Sequence, residues 1–193
     1  MPFYEFEGKS PRLEPSCFVH PDAILVGDVT IGKQCFIGAG AVLRGDYGRI
    51  VISDGANVQE NCVIHAQPDT TALVEENVDI GHGTILHGPI TIKKNVTIGM
   101  GSVICDGCQL GSGCFIGAGS VLPANLVIPE NKLAYGNPAR VIKDTNEYQR
   151  AFTKIAIDIY KNLCDRYHKS YKRIEDTDKL YHKSEIPIPG KGL

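Results

Sequence analysis

From Leu13 to Ile128 a Leu, Ile or Val recurs at every sixth residue, with two slips, and neither a helix nor an alternating sheet strand has that period. The ladder reads Leu13, Val19, Leu25, Ile31, Ile37 and Leu43, then Ile52, Val58 and Ile64. It resumes as Val74, Ile80, Leu86, Ile92, Ile98, Ile104, Leu110, Ile116, Leu122 and Ile128. Four residues after most rungs stands a compact side chain, among them Cys17, Ala23, Cys35, Ala41, Ala56, Cys62, Thr84, Ser102, Cys108, Cys114 and Ser120; Ile90 and Leu126 are larger. A chain that turns a corner every six residues places one bulky and one small side chain inward per step. The expected fold is an all-β solenoid, a parallel β-helix with three walls and about six coils.

Organisation follows from where that period starts and stops. Residues 1–12 are a lead-in, a strand or cap over the first coil, and residues 13–142 form the β-helix domain. Two insertions interrupt the ladder, three extra residues between Leu43 and Ile52 and four between Ile64 and Val74. Both are expected to leave the prism as loops, where function tends to sit. Within residues 143–174 the period becomes helical: Tyr148, Phe152, Ile155, Ile159 and Leu163 make an apolar stripe expected to pack on the prism. That helix should run roughly from Thr145 to Lys172, with Asp144 and Glu147 as its capping box. Residues 175–193 are a polar, then Pro/Gly-rich tail.

A net charge of -2 and the lack of basic runs interleaved with aromatics argue against nucleic acid. No apolar run approaches the ~18 residues of a membrane span, and residues 1–9 do not read as a signal region, so a cytoplasmic protein is expected. Of seven cysteines, Cys17, Cys35, Cys62, Cys108 and Cys114 fall in the small inward slot and read as apolar filler. Cys105 should face outward, so Cys105 and Cys108 do not make a metal pair.

Three of the six histidines, His65, His82 and His87, fall within 23 residues. His65 and His87 each follow a rung directly and lie one coil apart, which stacks them on one wall at about 4.8 Å. His82 follows a rung of the preceding wall and points elsewhere. One chain therefore cannot easily close a three-histidine site, but prisms packed about a three-fold axis can. The expectation is a homotrimer with a His₃ metal site at each interface and a fourth position open for chemistry. Arg44 continues the His65–His87 column one coil earlier. Asp46 stands where it can orient Arg44; Asn57 and Gln59 precede His82 by one coil. His20, His168 and His182 share no such register and read as surface residues.

Val42-Leu43-Arg44-Gly45-Asp46, Asn57-Val58-Gln59, His65 and Ile80-Gly81-His82 followed by His87 resemble the γ-class carbonic anhydrase family of left-handed β-helices. The resemblance covers about Phe18 to Ile142 and is nearest to the carnitine-operon and phenylacetate-degradation branch. Left-handedness is implied by it alone, since parallel crossovers generally favour the right hand. It implies zinc, or iron or cobalt, held by His65 and His87 of one chain and His82 of the next. Arg44 and Asp46 would lie at the interface, with Asn57 and Gln59 lining the pocket. The implied reaction is attack of metal-bound hydroxide on carbon dioxide, giving bicarbonate, with Gln59 orienting the hydroxide or bicarbonate. Two positions depart from the archaeal members. Tyr47 stands where they carry a glutamate, and Ala66-Gln67-Pro68-Asp69 offers only Asp69 in place of their acidic residues, which weakens proton transfer.

The expected function is thus a zinc lyase hydrating carbon dioxide. The first alternative is an acyl-CoA thioesterase using the same metal site, an activity assigned to phenylacetate-pathway relatives. The second is acyl transfer from a CoA thioester, which needs one histidine base and no metal; Gly136-Asn137-Pro138-Ala139-Arg140 resembles the closing segment of such transferases. A non-catalytic trimer tied by metal is the last.

Overall fold

The structure, a computed structural model, describes residues 2–174; the tail 175–193, with His182, lies outside the described residues. The six-residue ladder folds as a parallel β-solenoid of three walls. Wall one stacks the strands beginning at Ile24, Val42, Val63, Ile85, Val103 and Val121; wall two carries those ending at Leu13, Ile31, Ile52, Val74, Ile92, Leu110 and Ile128. Wall three runs from Phe18–Val19 through Phe36–Ile37, Asn57–Val58, Asp79–Ile80, Thr97–Ile98 and Phe115–Ile116 to Lys132–Gly136. Rung pairs on rung in parallel register, as in Ile80↔Ile98, Leu86↔Ile104 and Leu110↔Ile128.

There are about seven turns rather than six. Phe3–Tyr4 of the lead-in pairs in parallel with Leu25–Val26, and Lys132–Gly136 adds a last strand beside Phe115–Ile116. Both lie beyond the strict aliphatic period, because end coils need cover only one side. For the same reason Leu13, in the first turn, is the one rung that stays only partly buried.

The interior is a continuous, mostly aliphatic core. Every rung from Val19 to Ile128 is buried, as are the cysteines of the small slot. Thr84, Ser102 and Ser120 occupy that slot without an unmet donor, since each hydroxyl donates to the carbonyl three residues back, of Gly81, Gly99 and Gly117, at 2.6–2.7 Å. Burying an aliphatic side chain contributes roughly 1.5–3 kcal/mol, and the ladder repeats that contribution at every step.

The first insertion does not leave the prism as a loop. Val42–Ile52 is one continuous strand that turns the corner, with a register shift opposite Gly27 and Val29. Asp28, buried at that shift, is held by Arg12 at 2.8 Å and Arg49 at 3.1 Å. The second insertion packs directly beneath the first. A side chain on Gly48 would stand 2.4 Å from the Gln67 carbonyl oxygen, so this close approach requires glycine.

After an antiparallel return strand, Ala139–Asp144, the chain enters helix α1, Glu147–Ser170. Its capping box is Asn146 with Gln149, not Asp144 with Glu147, because Asp144 is still in the strand and paired with Lys132. The helix covers wall three, but only part of the expected stripe faces it: Leu163 packs beside Phe18 and Phe36, and the Phe152 ring meets Phe115. Thr153, Ile157 and Cys164 are buried against the wall, while Tyr148, Phe152, Ile155 and Ile159 remain exposed. Tyr160 and Tyr167 pack on Phe36 and Phe18 at ring distances of 5.1 and 4.7 Å, and Thr153 meets Thr97 at 2.8 Å. His20 and His168 fasten the end of the helix, His20 half-buried and His168 still exposed at the surface as expected. His20 Nε2 lies 2.5 Å from the Tyr171 hydroxyl, and His168 Nε2 reaches the Cys17 carbonyl at 3.0 Å. No described helix is long and apolar enough to cross a membrane.

Candidate functional site

The period fixes the site column. Arg44 pairs in register with His65 and His65 with His87, one per coil on wall one. The two imidazoles are tilted by 51° to each other, with His65 Nδ1 lying 3.1 Å from His87 Nε2. His65 turns its other nitrogen, Nε2, to Asp46 Oδ1 at 3.2 Å. Asp46 Oδ2 in turn accepts from Arg44 Nη1 at 2.6 Å, and Asp46 Oδ1 accepts the Tyr47 amide at 2.9 Å. The Nδ1 of His87 is bonded to Asp106, which stands two residues past the next rung. Tyr47 borders the site, its ring centre 6.1 Å from that of His65 and its side chain exposed.

His82 lies away from this pair, in the turn that follows Asp79–Ile80 at the corner between walls three and one. Its Nδ1 meets Glu60 Oε2 at 2.6 Å. Among the described residues no group of three or more His, Cys, Asp or Glu could hold a metal ion within the one chain.

Asn57 and Gln59 do not open onto a pocket in the chain. Asn57 is fully buried on the outer face of wall three, in register between Phe36 and Asp79. Gln59 Nε2 donates to Asn57 Oδ1 at 3.2 Å and to Asp79 Oδ1 at 2.9 Å, while Gln59 Oε1 accepts the His82 amide at 3.1 Å. Gln59 thus positions the His82 turn. Asn57 Nδ2 is the one buried side-chain donor left without a partner among the described residues.

Electrostatics divide the site in two. Burial works against ionisation of Asp46, but the Arg44 guanidinium and the Tyr47 amide outweigh it and hold the carboxyl below its ordinary range. Burial, and then the Arg44 charge, lower the pKa of His65, so the ring is neutral near pH 7. A neutral imidazole is the form that ligates a metal or accepts a proton. Around Asp79 the balance is reversed: burial raises its pKa, with the amides only partly offsetting.

Three carboxylates that the spacing argument did not single out thus belong to the site: Asp106 and Glu60 behind His87 and His82, and Asp79 behind Gln59. Asp106 and Glu60 both stand two residues after a rung, a corner position, and that phase was the signal available. A further feature shares this wall. Its outward column is Ile24, Val42, Val63, Ile85, Val103 and Val121, all aliphatic, and Ile24, Val63 and Ile85 are exposed. It runs between the His82 corner and the His65–His87 corner.

Comparison with known proteins gives consistent relatives. A family model described as bacterial transferase hexapeptide (six repeats) matches residues 10–45 and 89–124, and one for the hexapeptide repeat of succinyl-transferase matches residues 28–66. The carnitine operon protein CaiE of Escherichia coli K12 is 40% identical over 185 residues, covering 96% of this chain and 92% of that protein. Among solved structures, a Bacillus cereus protein described as a "putative acetyltransferase" is 36% identical with a TM-score of 0.84, covering 86% of this chain and 96% of its own. A hexapeptide transferase family protein from Anaplasma phagocytophilum is 32% identical with a TM-score of 0.81, covering 86% of this chain and 98% of its own.

Proposed function

Because the chain belongs to the hexapeptide-repeat family of the carnitine operon protein CaiE, we propose that it is an acyl-group enzyme, moving an acyl group from a CoA thioester to a small acceptor at sites shared between the subunits of a homotrimer. The observation that carries this is the His65–His87 pair, each ring backed by its own carboxylate, at the edge of an exposed aliphatic wall. Such an uncovered apolar column favours a protein partner over water. A second copy on wall one would cover it and bring His82 toward the pair.

The residues fit a divalent ion, zinc above iron or cobalt. Two ligand nitrogens on one tetrahedral zinc stand about 3.3 Å apart, given bonds of about 2.0–2.1 Å, and His65 Nδ1 and His87 Nε2 are 3.1 Å apart. All three histidines keep one ring nitrogen on a carboxylate, the arrangement that fixes the tautomer of ligating histidines. His65 and His87 of one copy and His82 of the next would hold the ion, which when bound polarises a carbonyl oxygen. Asp46 keeps Arg44 beside the pair, and the remaining guanidinium donors can take a substrate oxygen. Without an ion, His87 oriented by Asp106 is the base that removes the proton of the acceptor.

Carbon dioxide hydration at the same site is the second possibility, favoured by the three-histidine set. The order given by sequence is reversed here, for two reasons. The 36% and 32% identical structures carry transferase names. Hydration also needs an efficient proton exit, and an exposed tyrosine, Tyr47, stands where an acid would serve.

Metal analysis of the purified protein comes first, with about one ion per chain expected. Thiol release from a series of acyl-CoAs, with and without amine or hydroxyl acceptors, is then measured beside carbon dioxide hydration. His87→Ala should abolish thiol release. A metal-loaded wild type that hydrates carbon dioxide and leaves every thioester intact would replace the acyl assignment with hydration.

A further inference from the structure

One sizeable cavity lies away from the histidines. It is a groove of about 510 Å³ between α1 and the corner joining walls two and three, the one corner without a site histidine. Small-molecule sites fall in this size range, and acyl chemistry at the histidines makes no use of it.

The corner turns on one left-handed residue per coil: Asn77 (φ 55°), Asn95 (φ 58°), Gly113 (φ 70°) and Asn131 (φ 57°). Asparagine adopts this backbone more readily than most residues, and the result is a ladder of carboxamides along the groove. Asn77 Oδ1 accepts from Lys161 Nζ at 2.6 Å, and Asn131 Oδ1 stands over Gly113, where a Cβ would lie 2.4 Å away. The backbone amides of Asn77, Asn95 and Asn131 donate along the corner, to the Asp54, Glu76 and Ser112 carbonyls, while their side-chain Nδ2 groups donate to no side chain or carbonyl among the described residues.

The opposite bank is the helix. Arg150 stands at one end and Lys161 at the other, about 16 Å apart by helical rise. Arg150 spends one donor on the Thr145 carbonyl at 2.8 Å, leaving the rest of its guanidinium. The lining's one carboxylate, Asp158, is already paired with Lys154 at 2.5 Å. Between the two cations the floor is apolar, formed by Phe115 and Ile157.

We propose that this groove binds an organic anion with an apolar body: a carboxylate or phosphate monoester on an aliphatic or aromatic chain. A cationic ligand would face Arg150 and Lys161 with no free acid. A neutral one would leave the cations and the amide ladder unused. A bare inorganic anion would leave Phe115 and Ile157 uncovered.

Calorimetry on the full chain tests this with octanoate, octyl phosphate, 1-octanol and inorganic phosphate. Octanoate and octyl phosphate should bind at one site per chain, octanol and inorganic phosphate at least about tenfold more weakly. The tighter of the two amphiphilic anions identifies the head group. Arg150→Met and Lys161→Met should each weaken binding by about tenfold or more, the loss expected for a hydrogen bond to a charged group. His87→Ala should leave binding unchanged, which separates this site from the acyl-transfer assignment. Octanol binding as tightly as octanoate, or both folded Met variants binding like wild type, would overturn the proposal. Should Lys161→Met loosen the helix, amide exchange of the wild type decides. Octanoate must slow exchange within 110–116 and 149–161, and protection confined to 63–66 and 82–88 instead would refute the groove.

Discussion

Single side chains decide whether the histidine site is pre-organised. Asp106 touches nothing of the column except His87 Nδ1, so Asp106→Ala should keep the fold and lower metal affinity by about 10–100-fold, read by competition with a chromogenic chelator. The column Arg44, His65, His87 was legible in the sequence because a fixed period turns numbering directly into geometry. Asp106 and Glu60 were not, since an acid at a turn is ordinarily solvated and nothing in the spacing says that its side chain bends back to a ring. Asp79 makes a pH-dependent prediction. Its carboxyl is pushed above the ordinary value of 3.8 by burial, so the folded state holds the proton more tightly than the unfolded one. Its ionisation therefore destabilises the fold once pH rises through the folded pKa, and the penalty vanishes below 3.8. Asp79→Asn should raise the melting temperature at pH 7 and lose that advantage at pH 3.

Among the elements, α1 shows both the reach of pattern reading and its failure. Its existence and its place after the solenoid were plain from the change of period. The buried face was only partly right: Leu163 packs and Phe152 meets Phe115, but the count of apolar residues also favoured Tyr148, Ile155 and Ile159, whereas wall three offers Asp79 and Thr97 between its aromatic ends. A wall of that kind is met by small and hydroxyl-bearing side chains: Thr153 bonds Thr97, and Cys164 donates to the Cys35 carbonyl at 3.2 Å. Periodicity scores hydrophobicity and cannot see a partner that is polar. The cap followed local chemistry that was two residues further along than expected, so Asn146→Ala should cost about 1 kcal/mol in denaturant unfolding. A rung in mid-stack is less forgiving. Ile98→Ala, at a fully buried position, should cost about 2–5 kcal/mol.

For the whole molecule, the coils alone leave wall one unfinished, and assembly is the prediction that belongs to this scale. Ile85→Lys replaces an exposed member of the aliphatic column without touching the interior. It should convert a trimer to monomers in sedimentation velocity and lower any metal content with it; a wild type that sediments as a monomer would remove the shared site altogether. The solenoid was legible as a stack because each coil repeats one rule, and the count of turns was short only where the rule relaxes at the open ends.

That same stack has a mechanical consequence. Each coil bonds only to those above and below it, eighteen residues away across most of the ladder, while α1 runs lengthwise from Phe152 on Phe115 to Tyr171 on Phe18. Under tension applied to the two termini in an optical trap, the helix would act as a clasp that must be stripped first, at the highest force. The turns should then peel away as a staircase of small, nearly equal extensions.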